Sequence, residues 1–151
     1  MKLKTVIGSG GKIAGFLLPF LVAGIIAGKF YPHLFTIGSP SITLICISIV
    51  LLTAGVVNWL WSVILIAVKV PKKELITTGP FSVVKHPLYV GFAFLVLPWL
   101  GILLHTWLGV ILGIILYLGT RLYARQEEKM LSSAFGKEWD DYCSGVLLPW
   151  I

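Results

Sequence analysis

Acidic residues are scarce in this chain. It has six Asp and Glu in 151 residues, and none before Glu74. Charged residues of both signs make up 12% of it, against about 25% in an ordinary soluble domain. That poverty excludes the cytosolic globular class and the disordered regulators, and it leaves a nucleic-acid surface unexpected in spite of a net charge of +6. Cysteine is nearly absent: Cys46 and Cys143 make neither a disulfide framework nor a metal site. The three histidines are dispersed, so no metal is expected. No secretory signal peptide is expected either, because the first apolar stretch opens only at Ile13 with no fitting cleavage site after it. What fills the chain is apolar: 58% of it is hydrophobic. The expectation is an all-α integral membrane protein, residues 1–151 forming a single domain.

A helix that crosses a bilayer needs roughly 17–25 apolar residues. Residues 13–28 form a short stretch of this kind, bounded by Lys12 and Lys29 and interrupted by Pro19. Residues 42–68 form a long one, closed by Lys69, with Asn58 as its strongly polar insertion. The uncharged stretch 88–120 is too long for one crossing, and His105-Thr106 falls near its middle. It reads as a helical hairpin, 88–104 and 106–120, which gives four transmembrane helices. A cytosolic amphipathic helix from Arg121 to Phe135, stopped by Gly136, and an aromatic tail with Trp139, Tyr142 and Trp150 follow. The tail suits an interfacial lid.

Lysine and arginine accumulate on cytoplasmic flanks. With these spans, eleven of the twelve basic residues fall on one face and Lys29 alone on the other. Both termini are therefore expected in the cytoplasm. The basic excess orients the protein and meets anionic lipid headgroups. Chemistry is expected on the same face, where the two long polar segments, 69–87 and 121–151, emerge. The first carries turn signals at Thr78-Gly79-Pro80 and His86-Pro87.

Several residues invite a functional reading. Gly8-Ser9-Gly10-Gly11-Lys12 fails the phosphate-loop pattern, because Val6 stands at the first glycine position and Ile13 replaces the Ser/Thr. It is expected to be a flexible leader. Glu127 is more informative. At about 100° per residue, Leu131, Ala134, Met130, Tyr123 and Phe135 fall within about 80° of it, and Arg121, Arg125 and Lys129 fall opposite. A carboxylate at the centre of an apolar stripe is costly unless paired. It points to a held cationic ligand, or to a salt bridge with Lys73 or Lys85. Glu128 lies at the edge of the stripe and is expected to pair with Arg125. His86 shares the cytoplasmic face with Glu127, close to Lys85 and Tyr89. His105 is expected in the hairpin turn, Asn58 in an interhelical hydrogen bond, and Trp59, Trp61, Trp99 and Trp107 in packing and interface anchoring.

The segment Leu75-Ile76-Thr77-Thr78-Gly79-Pro80-Phe81, then Val84-Lys85-His86-Pro87-Leu88-Tyr89-Val90-Gly91, resembles the "G-x-Y…R-H-P-x-Y-x-G" pattern of the isoprenylcysteine carboxyl methyltransferase and phospholipid methyltransferase superfamily. Glu127-Glu128-x-x-Leu131-x-x-x-Phe135-Gly136-x-Glu138-Trp139-x-x-Tyr142 is similar to its "E-E-x-x-L-x-x-x-F-G-x-E-Y-x-x-Y". The resemblance covers residues 72–151; the first two spans match only in being hydrophobic. It implies a membrane-embedded methyltransferase with a cytosolic pocket for S-adenosyl-L-methionine. It assigns the cofactor to Lys73, Glu74, Leu75, Ile76, Phe81, His86, Pro87, Leu88, Tyr89 and Glu127. Lys85, Phe81 and Trp139 depart from the family's arginine and two tyrosines. The family's substrate-side arginine falls on Tyr123, which leaves Arg121 and Arg125 as the substrate candidates.

The residue types fit that chemistry. A carboxylate such as Glu127 can accept ribose hydroxyls or the amino group, or stabilise positive charge, Phe81 and Tyr89 can cover the adenine or attract a sulfonium cation, and His86 with loop backbone groups can take the carboxylate end. The methyl acceptor is expected to be a lipophilic or prenylated molecule with a carboxylate or thiol, the alternative being phospholipid N-methylation. Two other classes are weighed as well. A small four-span transporter lacks the expected carboxylate within a span. A nicotinamide-dependent reductase would need additional spans.

Overall fold

The structure is a computed structural model and describes residues 8–148. It is all-α apart from two isolated bridges. Helix α1 covers Gly8–Phe30. After Tyr31, Pro32 opens a single turn, α2, at Pro32–Phe35; proline suits a first helical position because its missing N–H has no intrahelical partner there. Ser41 caps α3 (Ile42–Lys69), its hydroxyl accepting from Leu44 N at 3.3 Å. A 3₁₀ turn, Val70–Lys72, ends that helix. Short helices α4 (Pro80–Val83) and α5 (Pro87–Gly91) both start on proline. A π-helical turn at Phe92–Val96 joins α5 to α6 (Leu97–Leu103). Helix α7 then runs unbroken from Leu108 to Phe135, and α8 covers Lys137–Gly145.

Two of these features follow from proline and glycine. Pro98 has no N–H to give the carbonyl four residues before it. That carbonyl, Phe94 O, is taken instead by the indole Nε1 of Trp99 at 3.1 Å, and the π turn lies just where the ladder loosens. In the hairpin, Gly101 and Gly109 meet backbone to backbone, and a Cβ on either would collide with the other. Such small residues let membrane helices approach closely.

Among the described residues three helices are long and apolar enough to cross a membrane: residues 10–30, 42–72 and 108–135. Residues 87–103 form a shorter apolar helix, about 25 Å at 1.5 Å per residue. The fourth span expected at 88–104 thus corresponds to a helix at the short end of the spanning range, apart from the three of full membrane length. The hairpin itself is present. His105 occupies its turn with φ 56°, and Thr106 N closes it onto Gly101 O at 2.8 Å. The helix expected at 121–135 is not separate from the span expected at 106–120; both are α7.

The bundle order is α1, α7, the α5–α6 stretch, then α3. A buried cluster of Ile13, Ala93 and Leu116 joins three of these elements, with Leu17, Phe92 and Tyr123 packed on it. The outer faces of α1 and α3 expose large apolar side chains, Leu18, Ile25, Val50 and Ile64 among them, as a lipid-facing surface does. At one end Ile37 N donates to His105 O and Trp107 N to Phe35 O, both at 2.9 Å. At the other, Lys12 Nζ donates to Gln126 Oε1 at 2.7 Å, beside the polar segments. The glycine-rich stretch expected as a flexible leader is therefore helical from Gly8, and Gly10 packs. A Cβ on Gly10 would lie 3.1 Å from the Tyr89 hydroxyl. Lys2, Lys4 and Trp150 lie outside the described residues.

Candidate functional site

The polar end of the bundle is shaped by three backbone turns in the 69–87 segment. Lys73 adopts φ 59°, ψ 32° where the 3₁₀ turn ends, and its N–H returns to Val70 O at 3.0 Å. A left-handed lysine carries a local steric cost, and this one turns the chain back over the end of α3. Leu75 and Ile76 then bury their side chains. The second turn is at Gly79, φ 65°, pressed against the Trp61 indole, where a Cβ would sit 3.1 Å from ring atoms. The third is at His86-Pro87. Asn58 Nδ2 donates to Pro87 O at 3.0 Å, the interhelical bond expected of it. Gly91, one turn on, is where Asn58 leaves no room for a Cβ.

These turns wrap a cavity of about 650 Å³, within the usual ~300–1,000 Å³ range for small-molecule and cofactor sites. Lys73, Glu74, Leu75, Ile76, Phe81, His86, Pro87, Leu88, Tyr89 and Glu127, all the residues expected at the cofactor, line it. Lys85 lines it as well. The sequence reading missed the apolar wall from α3 (Val63, Ile66, Ala67) and the contribution of Gly10. The α3 wall carries no chemical motif, and Gly10 arrives only through the packing of α1. Leu131, Phe135, Trp139 and Tyr142 also line it, and all four stand in the second motif quoted above. Trp139 is buried. Tyr142 Oη donates to Phe81 O at 2.8 Å, and Leu148 N to Val83 O at 2.9 Å. The tail is docked on the loop. Burial pushes the Tyr142 phenol up from its ordinary range, so it stays a donor. Burial also pushes the Cys143 thiol up, tempered by Lys85.

A smaller pocket of about 90 Å³ lies alongside. Arg121 and Arg125, the substrate candidates, line it with Tyr117, Thr120, Ala124 and Glu128, and it shares Lys85 and His86 with the large cavity. The buried stripe of α7 passes through Leu116, Thr120 and Ala124. Glu127 and Glu128 are about 100° apart on the helix and line different cavities. Glu127 faces the large cavity, as its phase predicts. Glu128 corrects an expectation. Its Oε1 takes Lys85 Nζ at 2.7 Å and His86 Nε2 at 3.3 Å, and Arg125 forms no ion pair with it among the described residues. Lys85 reaches α7 from beyond the helix, which a within-helix rule does not see. No group of three or more His, Cys, Asp or Glu able to hold a metal occurs among the described residues.

A model of the isoprenylcysteine carboxyl methyltransferase (ICMT) family matches residues 40–133. The chain belongs to that family. The match reaches back through all of α3, which the motifs alone did not, and stops short of Trp139 and Tyr142. Nothing among curated proteins or solved structures matches the chain. Membership makes it a methyltransferase, and the family's methyl donor is S-adenosylmethionine. The donor set fits that group: a carboxylate, aromatic faces and a buried histidine border one largely apolar cavity.

Proposed function

We propose that the protein transfers a methyl group from S-adenosylmethionine to the carboxylate or thiolate of a lipophilic, prenyl-type acceptor at the cytoplasmic membrane face. The observation that carries the reading is the convergence of Lys73–Ile76, Phe81, His86–Tyr89 and Glu127, from separate elements, on one cavity. When bound, S-adenosylmethionine supplies an electrophilic methyl on a sulfonium. The protein's part is mainly to bind and orient. Glu127 takes hydroxyl or ammonium hydrogens, Phe81 and Tyr89 offer ring faces to the cation, and Leu75, Ile76 and Trp139 exclude water. Lys85, Arg121 and Arg125 attract the anionic head of the acceptor while its tail stays among the spans.

Charge favours an anionic acceptor. Sulfonium and anion react to neutral products, so charge is annihilated along the reaction, and a site poor in water favours that course. A neutral amine would keep the positive charge and need a base, and Glu127 is committed to the methyl donor. The test compares a prenylated thioether acid, a long-chain thiol and an aminophospholipid of matched hydrophobicity as acceptors of labelled methyl. Methylation of the acid or thiol is expected. Methylation of the aminophospholipid alone would replace this reading with phospholipid N-methylation.

The same reading places four crossings in the membrane, the 17-residue helix at 87–103 included, with both termini cytoplasmic. The eleven-to-one distribution of basic residues supports it. A cysteine added at the N-terminus, and Cys143 labelled at alkaline pH because its thiol is held protonated, are expected to resist an impermeant reagent in intact cells. Labelling of either from outside would overturn the arrangement.

A further inference from the structure

Glu128 belongs to none of the groups to which a role has been given, yet it lines the small cavity and bonds the two residues, Lys85 and His86, that border both. Its Oε1 receives Lys85 Nζ at 2.7 Å and lies 3.3 Å from His86 Nε2. An oxygen in an ion pair with an ammonium is a carboxylate oxygen, and a carboxylate only accepts. The hydrogen on the Glu128–His86 line therefore belongs to Nε2. In the neutral imidazole the second nitrogen, Nδ1, is then bare and can only accept. The ring is 8% exposed and lines the large cavity as well as the small one.

We propose that Glu128 is a positioning residue that fixes His86 in its Nε2–H form, so that His86 meets the methyl donor as a hydrogen-bond acceptor. This rests on the methyl-donor reading of the large cavity, and it corrects one detail of the sequence expectation. A neutral His86 whose hydrogen is held by Glu128 has none left for the donor's carboxylate. It suits an N–H group instead, and both the amino-acid end and the adenine of S-adenosylmethionine carry one. The carboxylate end then falls to backbone N–H groups of the 73–76 segment or to Lys73. The adjacency of the two glutamates acquires a reason: Glu127 faces the ligand directly, and Glu128 acts on it through the imidazole. The arrangement has the logic of a second carboxylate orienting a histidine at a reacting centre.

The test uses the full-length protein in detergent or nanodiscs, labelled with ¹⁵N at histidine. Ring nitrogen spectra of the ligand-free protein at neutral pH are expected to show His86, assigned by its disappearance in His86→Gln, protonated at Nε2 and bare at Nδ1. Glutamine at position 128 can either accept from the ring or donate to it. Glu128→Gln is therefore expected to bring up the Nδ1–H form and to weaken S-adenosylhomocysteine binding about three- to tenfold. Glu128→Asp, which retains the carboxylate, is expected to restore the Nε2–H form and part of the affinity. A ring protonated at Nδ1 in the unsubstituted protein would overturn the proposal. So would a Glu128→Gln protein that loses affinity with the tautomer unchanged, since the carboxylate would then serve only its ion pair with Lys85. Failure of the unsubstituted protein to bind S-adenosylhomocysteine would count against the methyl-donor reading, and the ligand-free spectrum would still decide this one.

Discussion

The two cavities at the polar end of the bundle share a wall and little else. The large one is walled by apolar side chains of α3, α7 and the 73–76 segment, with Glu127 and the Tyr89 ring set among them. The small one is walled by Arg121, Arg125 and Glu128 around Thr120 and Ala124. Lys85 and His86 border both. An apolar chamber suits a bulky ligand bound by shape with a few polar anchors. A cationic recess suits the head of an anionic molecule. The difference between them turns on the helical phase of α7, which sets Glu127 and Glu128 about 100° apart and in different chambers. One step along the sequence moves a carboxylate from one chamber to the other.

Breaking the shared wall has the largest expected effect. His86→Ala removes a buried ring that lines both chambers and deprives Glu128 of one partner. It is expected to weaken S-adenosylhomocysteine binding by about a hundredfold, since a lost charge-assisted bond of ~1.5–3 kcal/mol is compounded by a local void, while the protein stays folded. Calorimetry checks the affinity and a thermal melt the folding. Normal affinity in this variant would return His86 to a packing role.

Glu127→Gln comes next. It leaves the wall intact and removes only the charge that faces the large chamber. A loss of affinity for S-adenosylhomocysteine of more than about tenfold is expected, larger than the three- to tenfold of Glu128→Gln, which acts at one remove. Equal losses in the two variants would mean that the phase of α7 does not assign them to different chambers. Measured side by side on the same ligand, the pair sharpens the distinction between the chambers most directly.

The contrast between what the sequence disclosed and what it withheld runs along the same line. The face presented by Glu127 was legible because α7 is one long helix, and a period of 3.6 residues carries a phase across many turns. The turns at Gly79 and His86-Pro87 were legible because glycine and proline limit the backbone locally. The partner of Glu128 was hidden. Lys85 comes from a loop 43 positions earlier, and tertiary contacts such as the Asn58 bond to Pro87 O and the packing of α5 on α3 bring that loop over α7. The left-handed Lys73 had no signal, since lysine does not ordinarily mark that conformation. The helical start at Gly8 was obscured by glycines that look flexible in isolation, although Gly10 lies against Tyr89 in the fold. The single helix from Leu108 to Phe135 was divided at Arg121 because hydropathy ends there, although helical structure does not.

The small chamber can be broken separately. Arg121→Ala with Arg125→Ala removes two guanidiniums from its lining. A several-fold rise in KM for an anionic lipophilic acceptor is expected, because charged hydrogen bonds of about 1.5–3 kcal/mol are weakened by partial exposure at this site. Affinity for S-adenosylhomocysteine, whose chamber these arginines do not line, is expected to hold within about twofold. Steady-state kinetics with labelled methyl, together with calorimetry, separates the two effects. A parallel loss in both would merge the chambers into one site.

The smallest expected effect lies at the lid. Tyr142 Oη donates to Phe81 O at 2.8 Å and ties α8 to the loop that carries a ring of the large chamber. Tyr142→Phe keeps the aromatic body and removes that one bond. A neutral hydrogen bond of this kind contributes about 0.5–1.5 kcal/mol net, and part of the loss is recovered because α8 remains held by buried Trp139 and by the Leu148–Val83 bond. A two- to fourfold weakening of S-adenosylhomocysteine binding is therefore expected, with faster proteolytic nicking between α7 and α8 in the absence of ligand. Because burial holds the phenol protonated well above neutrality, the difference between Tyr142→Phe and the unsubstituted protein is expected to stay flat from mildly acidic to mildly alkaline pH. A difference that vanished at mildly alkaline pH would mean that the hydroxyl ionises there and is not the buried donor described. No difference at any pH would mean that Trp139 and the chain beyond α8 hold the lid unaided, leaving the large chamber independent of this tether.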